Sequence, residues 1–167
     1  MKRHVVVLSV LAATLLAACA TEPMGVTAAV DLKPRSGSTV NGTASFMPIE
    51  GGLRVEAHIV GLTPGQHGFH IHEVGDCSAA DASSAKGHFN PAGHQHGQHG
   101  GDMPNLVADA KGEARYVFDL RGATLNNVPE SIRGRSLVVH ADPDDYKSQP
   151  AGNAGARVAC GVIPTSY

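Results

Sequence analysis

The chain has 167 residues, 13 of them basic and 15 acidic, with a formal net charge of −2 when histidine is neutral. That length suits a single domain, and the mildly acidic balance argues against a nucleic-acid-binding protein. The 20 glycines and 10 prolines indicate a fold with many turns and long loops.

The N-terminal segment is typical of a secretory signal. A basic start, MKRH, precedes an apolar run from Val5 to Ala18, and no acidic residue occurs before Glu22. This run is shorter than the roughly 20 residues of a membrane-spanning helix, so a retained transmembrane anchor is the weaker interpretation. Residues 16–19, LAAC, resemble a bacterial lipobox, in which Cys19 is lipidated and becomes the mature N-terminus. The alternative is an ordinary cleavage site beside an incidental cysteine.

The lipobox interpretation divides the chain into a lipoprotein signal peptide (1–18), a lipidated tether (19–25) and one domain (26–167). Loss of the signal removes Lys2 and Arg3, which leaves 11 basic and 15 acidic residues and a net charge of −4. A lipid on Cys19 would hold the protein in the bacterial cell envelope, on the periplasmic side. Because Ala20 stands where an aspartate often marks inner-membrane retention, we expect an outer-membrane anchor.

The two remaining cysteines form an even pair in an oxidising compartment. For Cys77 and Cys160, a disulfide is therefore the default expectation. The chain-entropy model gives a bridge across a loop of this size roughly 4.5 kcal/mol of stabilisation. Even when strain reduces that figure, the bridge would matter to a small domain.

Eight short segments rich in valine, leucine, isoleucine and threonine follow the tether, with turn residues between them. In chain order they are VTAAVDL, STVNGTASF, LRVEAHIVGL, GFHIH, NLVADA, EARYVFDL, SLVVHAD and RVACGVI. This pattern predicts an all-β sandwich or barrel, and no window has a convincing helical period. Two stretches, at about 74–104 and about 142–155, resist strand assignment, and loops of that length in a compact domain are usually functional.

Histidines concentrate around the first of these loops. His70 and His72 in FHIH would share one face of a strand and could bind one ion. Imidazole suits zinc and copper, and a carboxylate joining histidines is compatible with zinc. The alternative, isolated structural histidines or a loose metal buffer, fits poorly with histidines spread over two strands and a loop. The further candidates are His88, His94, His96, His99, Asp102 and His140.

The motifs GFHIHEVGDC, GHFNP, HGGDMPNL, VVH and GARVACGVI resemble, in order and rough spacing, those of the bacterial periplasmic copper/zinc superoxide dismutases. The likeness covers nearly the whole mature chain, so we interpret 26–167 as one domain of this family. It implies an eight-stranded antiparallel Greek-key β-barrel, an immunoglobulin-like sandwich with two long functional loops. It also implies copper and zinc cofactors that share a bridging imidazolate.

The activity implied by this resemblance is dismutation of superoxide to molecular oxygen and hydrogen peroxide, which would protect the cell envelope. Superoxide is then the substrate, no nucleic-acid partner is expected, and the N-terminal lipid is the only expected membrane contact. The family includes monomers and dimers, so a homodimer is one of two expected states.

Position by position, the resemblance implies two ligand sets that share one histidine. The expected copper ligands are His70, His72, His88 and His140. The expected zinc ligands are His88, which bridges the two metals, His96, His99 and Asp102.

The resemblance also assigns residues around the metals. Arg157 in GARVAC corresponds to the arginine that receives the anionic substrate over the copper, and Lys147 is a second source of positive charge. Arg157 and His88, which takes up a proton in the family mechanism, are the expected catalytic residues. Asp144 is expected to link a copper histidine to a zinc histidine. The cysteine pair described above matches the family disulfide, which ties the metal-bearing loop to the last strand.

The zinc loop departs from the family pattern. Only Gly97 and Gln98 separate His96 from His99, a shorter interval than usual, and the nearby His94 is an alternative third zinc histidine. We favour His99 because it keeps the family's spacing to the ligating aspartate.

Two functions from other classes stay open at this point. One is a metal-binding or copper-delivery lipoprotein without turnover, and the other is a structural β-sandwich lipoprotein with an incidental histidine-rich loop. The presence of all four copper positions and of the arginine favours the enzyme.

Overall fold

The structure, a computed structural model, describes residues 27–126 and 128–165. The signal peptide, the tether and Cys19 lie outside the described residues, so their assignments stay predictions. Within the described ranges, no helix is both long and apolar enough to span a membrane.

Nine strands form the fold, and the described residues otherwise contain only a short 3-10 turn at Ser83–Ala85. The prediction of an all-β fold is confirmed. The strands are β1 (Ala28–Pro34), β2 (Asn41–Ile49), β3 (Gly52–Val60), β4 (Gly65–His67), β5 (Phe69–His72), β6 (Leu106–Ala108), β7 (Ala114–Arg121), β8 (Ser136–His140) and β9 (Arg157–Val162).

Seven strands form one curled antiparallel sheet in the order β5-β8-β9-β1-β2-β3-β7. The short strands β4 and β6 pair with each other. Strand β4 continues through Gly68 into β5, at one edge of the large sheet, and a tight turn at 109–112 joins β6 to β7, at the other edge. The β4–β6 pair therefore bridges the two edges and fits the Greek-key barrel that was predicted. When β4 and β5 are counted as one strand interrupted at Gly68, the predicted eight strands are recovered.

The alternation of buried and exposed residues along the strands shows which faces form the core. In β3, Leu53, Val55 and Ile59 are buried between more exposed neighbours, as expected for a strand with one face on the core. Strands β5 and β8 differ, because every residue of both is buried. Phe69 and Ile71 of β5 belong to the barrel core, so the two histidines between and after them lie on the opposite face, beneath the long loops.

Three long connections lie outside the strands. Residues 73–105 and 141–156 correspond to the two predicted loops, and 122–135 form a third that was not predicted. An isolated bridge between Thr124 and Ser131 stabilises this third loop, as does a hydrogen bond of 2.6 Å from Arg133 Nε to the Leu125 carbonyl. Leu125 and Ile132 of this loop are buried in the core.

The predicted disulfide is confirmed. Cys77 and Cys160 are bonded, with Cα atoms 5.8 Å apart, within the usual range for such bridges. The bridge lies in a small buried cluster with Ala82, Ala85 and Val138. It ties the first long loop to β9.

Candidate metal centre

Four buried histidines converge from two strands and a loop. His70 and His72 lie on the loop-facing side of β5, and His140 ends the neighbouring strand β8. His88 reaches them from the first loop through an isolated bridge to His72. One ring nitrogen from each of the four lies within 4.8 Å of those of the others. We call this set the strand group.

A second set, the loop group, contains His88, His96, His99 and Asp102, with ligand atoms that also lie within 4.8 Å of one another. His88 belongs to both groups, and its Nδ1 lies 2.8 Å from Asp102 Oδ1. The Asp102 carboxylate accepts backbone hydrogen bonds from Gly97 at 2.7 Å and from His99 at 3.0 Å, which forms the local turn. This turn allows His96 and His99 to converge despite their short separation.

The structure places the three other histidines of the described ranges outside both groups. The backbone of His94 is held by the Asn90 side chain, and His94 itself is exposed. His58 pairs with Glu113 at 2.8 Å and is 42% exposed. The two ring nitrogens of His67 lie 3.0 Å from the His140 carbonyl and 2.8 Å from the Thr63 carbonyl. His67 therefore links the end of β8 to the segment before β4.

Four buried ring nitrogens in these groups make no hydrogen bond: His70 Nδ1, His88 Nε2, His96 Nδ1 and His99 Nδ1. The last two lie 3.4 and 3.3 Å from Asp102 oxygens, near a carboxylate that could share a metal ion with them. Leaving a buried polar atom unpaired costs about 1–3 kcal/mol, so four in one cluster call for a ligand. Imidazole nitrogens suit copper and zinc, and histidines with one carboxylate suit zinc. The residues present therefore fit two metal ions that share His88.

Hydrogen bonds orient the strand-group rings through their second nitrogens. His70 Nε2 donates to Asp144 Oδ2 at 2.8 Å, His72 Nδ1 donates to the Lys86 carbonyl at 2.9 Å, and His140 Nδ1 faces the Gly155 carbonyl at 3.4 Å. Histidines that bind metals are oriented in this way. Burial lowers the pKa of all three rings, that of His140 to about 3, so they are neutral at pH 7 and can bind a metal.

Asp144 forms a second link between the two groups, at the position to which the resemblance assigns this role. Its Oδ2 accepts the bond from His70, and its Oδ1 accepts one from His96 Nε2 at 2.9 Å. Burial opposes ionisation of this carboxyl, but the hydrogen bonds from His70 and His96 outweigh burial and hold its pKa well below its usual range. For Asp102, burial is likewise outweighed, by hydrogen bonds from His88 and the His99 backbone, and the pKa falls to about 2.

Asn105, which fixes the backbone of Asp144, was not predicted from the sequence. Asn105 Oδ1 accepts a bond of 2.9 Å from the Asp144 backbone nitrogen, and Asn105 Nδ2 donates to the Asp144 carbonyl at 3.0 Å. In the sequence, Asn105 is only a polar residue at the start of the apolar segment NLVADA. Such a position does not indicate which residue of another loop it contacts.

A pocket of about 220 Å³ opens over the strand group. His72, His88 and His140 form its floor, and Arg157 with residues of the second long loop forms its walls. Larger cavities of about 490 and 530 Å³ contain none of these histidines, and one of about 380 Å³ contains His88 alone. The small pocket, which three strand-group histidines and Arg157 line, is therefore the relevant one. Lys147, predicted to add positive charge, is exposed and does not line this pocket.

Arg157 is anchored by the first long loop. Its Nη1 donates to the Ala82 carbonyl and its Nη2 to the Lys86 carbonyl, each at 2.6 Å. The Lys86 carbonyl also accepts the bond from His72, so Arg157 and a strand-group histidine share one acceptor. Burial lowers the pKa of Arg157, which nevertheless stays charged at neutral pH.

Sequence and structure comparisons agree with this geometry. The family model described as copper/zinc superoxide dismutase matches residues 40–163. The chain is 41% identical to copper/zinc superoxide dismutase 2 of Aquifex aeolicus, covering 92% of this chain and 96% of that one. It is 40% identical to the copper/zinc superoxide dismutase of Deinococcus radiodurans, covering 82% and 84%. A superoxide dismutase-like protein from Bacillus subtilis has a similar crystal structure, with a TM-score of 0.75, 33% identity and coverage of 81% and 97%. The chain therefore belongs to the copper/zinc superoxide dismutase family.

Proposed function

We propose that this protein dismutes superoxide to oxygen and hydrogen peroxide, with copper bound by the strand group and zinc by the loop group. The observation that carries the proposal is that His88 belongs to both groups and lies beneath a pocket lined by Arg157. A structural β-sandwich protein would not require four buried ring nitrogens without a hydrogen bond in one cluster.

Bound copper supplies the one-electron redox couple that dismutation needs, which zinc cannot supply. Residues of the chain itself attract the substrate and hold a proton near it. The Arg157 guanidinium provides positive charge beside the pocket, which favours entry of a small anion into a protein of acidic net charge. His88 Nε2 has no protein partner while His88 Nδ1 faces Asp102, so Nε2 is the ring atom that can hold a proton near the substrate.

A metal-delivery protein without turnover is the competing function, and metal content measured together with activity separates the two. We expect about one copper and one zinc per chain and rapid superoxide consumption in stopped-flow assays. His140→Ala should lose copper and turnover and retain zinc, because His140 belongs to the strand group alone. Stoichiometric metal without superoxide consumption would instead identify a delivery protein.

We also propose that Cys19 carries a lipid that anchors the protein in the outer membrane, facing the periplasm. The basic start, the apolar run and the LAAC motif support this. Wild-type protein should partition with membranes, and Cys19→Ser should block lipid attachment; recovery of freely soluble wild-type protein would contradict the lipobox. Association into a homodimer stays a prediction, which sedimentation velocity of the mature protein tests.

A further inference from the structure

The second long loop contacts His96 in two ways beyond its link to Asp144. Gln149 Oε1 accepts a hydrogen bond of 2.8 Å from the His96 backbone nitrogen, and Gln149 Nε2 lies 3.4 Å from the His96 carbonyl oxygen. Gly152, at a φ of +65°, lies so close to the site that any side chain there would overlap the Asp144 carboxylate and the His96 ring. The loop therefore binds the His96 backbone and covers its ring.

His96 needs support of this kind. It is only 5% exposed, yet it lies in the turn-rich segment 94–99, where no strand provides backbone partners. A buried backbone N–H requires an acceptor. For His96 that acceptor is the side chain of Gln149, 53 residues away, while Asp144 holds the ring.

Gln149 also reaches the substrate pocket. It lines the same pocket as Arg157 and the strand-group histidines. One side chain thus contacts the loop group's backbone and forms part of the wall above the strand group.

We propose that Gln149 is a positioning residue that holds His96 for zinc and couples the zinc site to the shape of the substrate pocket. The inference rests on the proposed function, but Gln149 belongs to neither ligand group. Its amide fixes the His96 backbone, and the same hydrogen bond fixes the Gln149 side chain, which forms part of the pocket wall. Loss of the amide loosens the zinc histidine and the wall together.

The test compares Gln149→Ala with Gln98→Ala in full-length, metal-loaded protein. Gln98 is an exposed glutamine of the zinc loop whose side chain makes no hydrogen bond within the described part of the chain. Transfer of zinc to a chromogenic chelator measures zinc retention without reference to activity. We expect Gln149→Ala to weaken zinc binding roughly tenfold and to keep its copper, while Gln98→Ala behaves as wild type.

Gln149→Glu separates the two halves of the proposal. The carboxylate still accepts the His96 N–H at 2.8 Å, but it loses the amide's longer contacts, each 3.4 Å, with the His96 and Lys147 carbonyls and adds negative charge to the pocket wall. Zinc retention should therefore fall less than in Gln149→Ala, while kcat/KM for superoxide falls. Wild-type zinc retention in Gln149→Ala, or equal zinc loss in Gln98→Ala, overturns the positioning role. Loaded wild-type protein that does not consume superoxide would instead refute the proposed function and leave the zinc result standing.

Discussion

The Asp144 carboxylate bridges the two histidine groups, and its substitution should disturb both. Asp144 accepts hydrogen bonds from His70 on Oδ2 and from His96 and the Tyr146 backbone nitrogen on Oδ1, and its exposed fraction is only 3%. Asp144→Asn keeps the side-chain volume but retains only one oxygen. Its new amide nitrogen would face an imidazole N–H, so one buried histidine loses its acceptor.

The size of the effect follows from this lost pairing. An unpaired buried donor costs about 1–3 kcal/mol, and we expect the metal-free variant to be less stable by that amount. Loss of a residue that orients a ligand typically weakens metal binding about 10–100-fold. Zinc should be affected more than copper, because His96 lies in a loop whereas His70 is held by strand β5.

Urea unfolding of the metal-free, disulfide-intact protein measures the stability change, and chelator competition measures zinc affinity. Asp142→Asn is the matched control, since Asp142 is exposed and its side chain makes no hydrogen bond among the described residues. If Asp144→Asn matches Asp142→Asn in both stability and zinc affinity, the bridge does not orient His96 and our account of Asp144 is wrong.

Three further predictions concern the pocket, the zinc loop and pH. Arg157→Gln should lower kcat/KM for superoxide and flatten its dependence on ionic strength while copper is retained; an unchanged salt dependence would assign Arg157 a purely structural role. His99→Ala should lose most of its zinc in metal analysis and His94→Ala should keep it, because only His99 lies in the loop group; the opposite pattern would exchange the two assignments. Burial lowers the pKa of His140 from 6.5 to about 3, so below pH 6.5 the unfolded state binds a proton that the folded metal-free state does not. The free energy of unfolding of the metal-free protein should therefore fall as the pH drops, by about 2 kcal/mol at pH 5 from His140 alone. A urea midpoint that does not change between pH 7 and pH 5 would contradict this.

The strands and the same-face histidines were predictable because they depend on local pattern. Alternation in FHIH places His70 and His72 on one face of any strand, and the buried strands β5 and β8 keep that face beneath the loops. The roles of His88, Asp144 and Arg157 came from motif resemblance rather than from pattern. Nothing in the local sequence brings these three positions together.

Contacts between loops could not be predicted from the sequence. Asn105 and Gln149 act on the backbones of Asp144 and His96 through side-chain amides, and amides in loops leave no periodic signal. The spacing of His96 and His99 left the third zinc histidine open for the same reason, since convergence depends on the turn around Asp102.

Anomalous diffraction at the copper and zinc edges, from crystals of protein reconstituted with both metals, tests the shared-histidine centre most directly. We predict one copper peak within the strand group and one zinc peak within the loop group, on opposite sides of the His88 ring. The shared-histidine centre would be contradicted if the two metals exchanged positions, if only one group were occupied, or if zinc lay beside His94 rather than His99.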